Sequence, residues 1–168
     1  MKAMKLINPV IFSVDETYCS EEYFQRMLIL ERKRSEQSGK TFMLILLDID
    51  KLLKGNLREK EVVLQKIALA LDSSTCEIDT KGWYIRNCII GIICRDIQKG
   101  DGDSIPREIA KKLYKGPHVP PSAKNPDPIK MLRLFYPNAP GKRHSKLNSE
   151  RIHHKIRPVL RVAPTRNS

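Results

Sequence analysis

The chain has 168 residues, 40% hydrophobic and 30% charged, with a formal net charge of +12, enough for one domain with a real core plus a tail. No apolar stretch approaches the roughly 20 residues of a membrane span, and the opening Met1-Lys-Ala-Met-Lys-Leu-Ile, followed by Asn-Pro and then Asp15-Glu16, lacks a signal-peptide pattern. Cys19, Cys76, Cys88 and Cys94 show no zinc-ligand spacing and read as buried thiols of a reducing cytosol, so a cytoplasmic location is expected.

Taken in chain order, residues 1–19 form a lead-in. Ser20 is a helix N-cap with Glu21 and Glu22 in the first turn, where the helix dipole favours acids. Phe24, Met27 and Leu28 set an inward face, Arg26, Arg32, Lys33 and Arg34 an outward one, and Gly39 stops the helix. The run from Thr41 to Asp48 is too short for a helical span and too apolar for a half-exposed strand, so it predicts a strand buried on both faces, with Asp48 and Asp50 at its end. Asn56 with Glu59 forms a capping pair for a second helix, whose apolar face is Val63, Leu64, Ile67, Ala68 and Leu71. Two strands follow, Ile78 to Ile85 and Cys88 to Cys94, joined by a tight turn at Arg86-Asn87; the second is nearly all apolar and is expected at the centre of the sheet. Ser104 and Pro106 open a third helix with Ile109, Ala110 and Leu113 on one face. Gly116-Pro117 ends it, a Pro-rich loop runs to Pro128, and a last strand spans Ile129 to Tyr136.

The basic charge is uneven. Residues 139–168 hold eight Lys/Arg against a single acid, Glu150, so the basicity belongs to the tail more than to the fold. Within the tail, Arg157-Pro-Val-Leu-Arg-Val-Ala-Pro could add a strand to a sheet edge, act as a polybasic segment toward an acidic membrane surface or nucleic acid, or serve as a flexible linker. His153-His154, with His144 nearby, lack the spacing and partner acids of a metal site and read as part of a solvated charge run. The expected organisation is a lead-in at 1–19, a domain at 20–138 and a basic tail at 139–168.

An added N-terminal helix followed by a βαββαβ core is the split pattern of a ferredoxin-like palm: α+β, with an antiparallel-rich central sheet and helices segregated to one face. The segment Phe24-Gln-Arg-Met-Leu-Ile-Leu-Glu-Arg-Lys-Arg-Ser-Glu-Gln-Ser-Gly-Lys40, then a hydrophobic strand closing on Leu47-Asp-Ile-Asp-Lys-Leu52, resembles the start of the GGDEF-type diguanylate cyclase palm. The succession of elements from about residue 20 to 137 follows the same family.

The resemblance implies a nucleotidyl-cyclase palm that joins two GTP molecules into cyclic di-GMP, using two Mg²⁺ held by a strand-end aspartate and a hairpin acid. Asp48 matches the first metal carboxylate, and Asn56 falls where the family turns an asparagine toward guanine, although it also serves as a helix cap. Aligning Trp83-Tyr84 on the family's Arg-Tyr lays Ile85-Arg86-Asn87-Cys88-Ile89 over the signature. Side chains then fill the space in which two glycines would let triphosphate approach the backbone. Arg86 could meet a phosphate, but Asn87 replaces the acid that bridges Mg²⁺, an ion that prefers hard anionic oxygen.

The sequence thus points to a catalytically inactive GGDEF-like regulatory or protein-interaction module, in bacterial signalling or cell-envelope polysaccharide machinery. It needs no cofactor or metal, has no catalytic residue, and retains a vestigial pocket at Asp48, Asn56, Arg86 and Asn87. A protein partner or self-association is expected. The alternatives are a non-catalytic GTP or cyclic di-GMP sensor, and a nucleic-acid-binding protein working through the tail.

Overall fold

The structure is a computed structural model and describes residues 18–98, 101–114 and 129–137. Most of the lead-in, the Pro-rich loop and the basic tail with its histidines lie outside the described residues. Three helices, α1 (Glu21–Ser38), α2 (Leu57–Asp72) and α3 (Asp101–Tyr114), accompany four strands, β1 (Phe42–Asp48), β2 (Thr80–Ile85), β3 (Ile89–Cys94) and β4 (Lys130–Tyr136). The strands form one sheet in the order β2-β3-β1-β4, every neighbouring pair antiparallel. This is an α+β palm.

The two most apolar strands occupy the centre. Phe42 to Leu47 of β1 and all six residues of β3 are buried, as their unbroken apolar runs predict. Alternation along each strand feeds two separate cores. Met43, Ile45, Leu47, Ile90, Ile92 and Cys94 pack with Ile67 and Leu71 of α2 and Ile109 and Leu113 of α3. On the other face, Phe42, Leu44, Leu46, Ile89, Ile93 and Tyr84 pack with Phe24 and Leu28 of α1. The expected one-sided segregation therefore holds for α2 and α3 only. α1 covers the opposite face, making three layers.

Phe24 explains how α1 seats there. Gly82 and Gly91 face each other across β2 and β3, leaving a dent in the sheet. The Phe24 ring fills it: a Cβ on Gly91 would lie 2.4 Å from Phe24 Cζ, and one on Gly82 2.9 Å from its Cδ2. Two of the three helix entrances read from the sequence are present. Ser20 Oγ accepts the Tyr23 amide, and Asn56 and Glu59 close a reciprocal capping box on α2.

Strands β1, β3 and β4 each begin one residue later than expected, and two boundaries differ by more. β2 begins at Thr80 rather than Ile78, because buried Asp79 accepts the amides of Cys76 (2.9 Å) and Arg95 (3.0 Å) and holds the preceding residues in a turn. α3 begins at Asp101, whose carboxylate accepts the Gln98 amide at 2.7 Å, so Pro106 lies inside the helix rather than in its first turn. Proline has no N–H to give the Gly102 carbonyl. Arg133 of β4 supplies the missing donor, bonding the Gly102 carbonyl and the Asp103 carboxylate. Of the four cysteines only Cys94 is buried; Cys19 and Cys88 are half-buried and Cys76 is exposed.

Candidate functional site

β1 delivers Asp48 to one end of the sheet. In register it stands between Ile89 on β3 and Lys130 on β4. Its carboxylate accepts the Asp50 amide at 3.2 Å, while the Ile49 amide is drawn to the Cys88 carbonyl at 3.0 Å. The strand-end acid therefore closes its own turn. Lys130 is its register partner on the antiparallel neighbour β4.

The β2–β3 hairpin ends beside it. The Cys88 amide donates to the Ile85 carbonyl at 3.1 Å, so the turn comprises Arg86, Asn87 and Cys88, one residue more than expected. Asn87 takes a φ of +57°, a left-handed conformation that asparagine tolerates better than most residues with a Cβ. Arg86 and Asn87 are both exposed, while Ile89 beside them is fully buried. The register slips between Trp83 and Ile85, a bulge that re-aims the end of β2.

An acid that sequence reasoning missed also reaches this turn. Glu21, in the first turn of α1, accepts the Arg86 amide on Oε2 at 2.8 Å. Gln25, one helical turn on, donates from Nε2 to the Tyr84 carbonyl at 3.1 Å. The sequence showed Glu21 only as a helix-dipole acid, because its partner lies 65 residues away. Asn56 is exposed and its side-chain oxygen is engaged by the Glu59 amide at 3.0 Å, so the helix-cap role describes what it does. Thus Asp48, Arg86 and Asn87 share one end of the sheet with Glu21 and Lys130, and Asn56 serves the start of α2. Among the described residues no group of three His, Cys, Asp or Glu side chains is placed to hold a metal ion.

A cavity of about 440 Å³ lies at the other end of the sheet, where α1 ends, β1 begins and β3 finishes. Its charges are largely matched in pairs: Arg95 with Glu31 at 2.9 Å, Arg34 with Glu31 at 3.4 Å, and Lys40 with Asp96 at 3.7 Å. No described helix is long and apolar enough to cross a membrane.

No family model matches the chain, and no curated protein does. Solved structures do. The chain is similar to a DGC protein from Thermotoga maritima, at 16% identity and a TM-score of 0.58, covering 72% of this chain and 83% of that one. It is similar to diguanylate cyclase SiaD of Pseudomonas aeruginosa, solved with its activator SiaC, at 16% identity and a TM-score of 0.58, covering 85% of this chain and 54% of that one. It is also similar to the GGDEF domain of DgcB from Caulobacter crescentus, solved with c-di-GMP, at 11% identity and a TM-score of 0.59, covering 90% and 92%. At these identities the likeness establishes architecture: the chain has the GGDEF-type palm fold.

Proposed function

We propose that this chain is a non-catalytic GGDEF-type module that works by contact with a protein partner or a second copy. The observation that carries the reading is the hairpin turn. It presents Arg86 and Asn87 to solvent with no carboxylate of its own, and its Arg86 amide is taken by Glu21. The Mg²⁺ pair that the fold implies would need several hard anionic oxygens. The carboxylates at this end are Asp48, bonded to the Asp50 amide, Asp50 itself, and Glu21, engaged by the Arg86 amide; Asn87 offers only a neutral amide, and no three such acids among the described residues are placed to hold an ion. That set does not fit the metals. Glu21 supplies a third reason, since an internal carboxylate holds the backbone donor that a phosphate would approach.

SiaD was solved with an activator protein and DgcB with c-di-GMP. Between these two kinds of partner we favour protein for this chain, because Ile85 and Arg86 put side chains where close approach of phosphate to the backbone is needed. The test is direct. Purified protein incubated with GTP and either Mg²⁺ or Mn²⁺ is expected to release no cyclic di-GMP above a no-protein control. Accumulation of cyclic di-GMP that scales with protein concentration refutes the proposal.

A further inference from the structure

The four cysteines divide between the two faces of the sheet. Cys19 and Cys88 pack against the core under α1, whereas Cys94 ends β3 inside the core under α2 and α3. Cys76 lies on the connection that leaves α2 for β2, on this second face. Thr75 Oγ1 donates to the Leu71 carbonyl at 2.8 Å and ties that connection to the last turn of α2. The Asp79 amide donates to the Cys76 carbonyl at 3.1 Å, folding the chain back toward the sheet.

Two observations bring Cys76 to Cys94. Thr80 stands across from Ile93, so the next position outward on each chain is Asp79 and Cys94. One carboxylate then joins the two segments. Asp79 accepts the Cys76 amide on Oδ2 at 2.9 Å, and on Oδ1, at 3.0 Å, the amide of Arg95, the residue bonded to Cys94. A disulfide asks for Cα atoms about 4.4–6.8 Å apart, and a shared carboxylate holds two backbones on that scale. Access is split between the thiols: Cys76 is exposed, and Cys94 is 1% exposed. Burial, and then the neighbouring Asp79, Cys76 and Asp101, push the Cys94 thiol up to about 12, so it stays protonated and closed to reagents in solution.

We propose that Cys76 and Cys94 are a redox-responsive pair that closes to an intrachain disulfide on reaction with a low-molecular-weight disulfide. The Cys76 thiolate attacks one sulfur of the reagent and expels a thiolate, leaving a mixed disulfide at the protein surface. Cys94 attacks the Cys76 sulfur through its small thiolate fraction, the slower step, and expels the second thiolate. Two protein thiols are oxidised, and the external disulfide is reduced to two thiols. The protons given up by the cysteines go to the two leaving thiolates. Closure fastens the α2–β2 connection to the end of β3, at the end of the sheet opposite the hairpin turn.

The full chain, reduced, incubated with oxidised glutathione, then alkylated in denaturant and mapped by peptide mass, tests this. The expected product carries a Cys76–Cys94 disulfide, leaves Cys19 and Cys88 open to alkylation, and is reversed by dithiothreitol. Cys76→Ser should lower the disulfide yield about tenfold or more, and Cys94→Ala should halt the reaction at a glutathione adduct on Cys76. Circular dichroism confirms that the variants fold; Cys76→Ser changes an exposed residue and carries the test alone if Cys94→Ala does not fold. The oxidised chain should also unfold at higher urea than the reduced one, because the cross-link restricts the unfolded chain. An unreactive Cys76, a lasting adduct on it in the wild type, or a disulfide joining two copies overturns the proposal. So does pairing through Cys19 or Cys88, or an oxidised chain with a lower urea midpoint.

Discussion

Replacing Gly91 with alanine tests the seat of α1 in a single atom. The new methyl would sit 2.4 Å from Phe24 Cζ and 2.6 Å from Cε1, where carbon contacts normally settle at about 3.5–4.0 Å. The ring must retreat by about 1 Å to restore that spacing. It has little room, since Phe24 is fully buried and Tyr84 stands edge-on to it at a centroid distance of 6.3 Å. Forcing extra volume into a packed core costs about 1–3 kcal/mol. The smaller conformational entropy of the unfolded alanine chain returns about 0.4–1 kcal/mol, so the net loss is about 1–2 kcal/mol. For a domain of this size that lowers Tm by roughly 3–10 °C. The assay is thermal or urea denaturation of Gly91→Ala against wild type, repeated in a Phe24→Leu background. Leucine lacks the ring atoms that clash, so the second alanine substitution should be close to neutral, a coupling of about 1 kcal/mol. An unchanged Tm, or an equal loss in both backgrounds, refutes the dent-and-ring account.

The remaining predictions concern titration and the proline within α3. Burial pushes the Tyr84 phenol and the Cys94 thiol up to about 12, and Tyr18 is raised by burial as well. These folded-state values exceed the unfolded ones of about 10 for tyrosine and 8.5 for cysteine. Their stabilisation is therefore complete below about pH 8.5 and is lost as pH rises toward 12. The urea midpoint should be flat near neutrality and fall above about pH 9, with tyrosinate absorbance from Tyr84 appearing only as the fold is lost; tyrosinate at pH 10 from all tyrosines of an intact fold refutes this. Arg133→Ala should cost about 1–2 kcal/mol by stranding the Gly102 carbonyl. In a Pro106→Ala background the restored helical N–H serves that carbonyl, so the same change should cost less in urea melts; equal costs would show that Arg133 matters only to Asp103.

The elements legible in the sequence were those whose determinants are local. Unbroken apolar runs gave β1 and β3 and their central places, and Ser20 and Asn56 marked the starts of α1 and α2 because a capping side chain bonds an amide three residues on. What escaped depends on distant partners. Asp79 ends a turn by holding Arg95, sixteen residues away, and so delays β2. Periodicity identified the buried side of α1 but carries no information about which face of the sheet receives it; the Gly82–Gly91 dent decides that. At the candidate site, the placement of Asp48 followed from its strand, whereas the bond from the Arg86 amide to Glu21 and the register that sets Lys130 across from Asp48 exist only once the palm is assembled.

The hairpin divides its central positions between two masters. Ile89 is sealed in the core and Ile85 is half-sealed, so these rails answer to packing; Arg86 and Asn87 ride beyond them in solvent. The apex can therefore exchange its chemistry while the skeleton beneath keeps its shape. In this chain, the residues that hold the hairpin's shape are not the ones it shows to solvent.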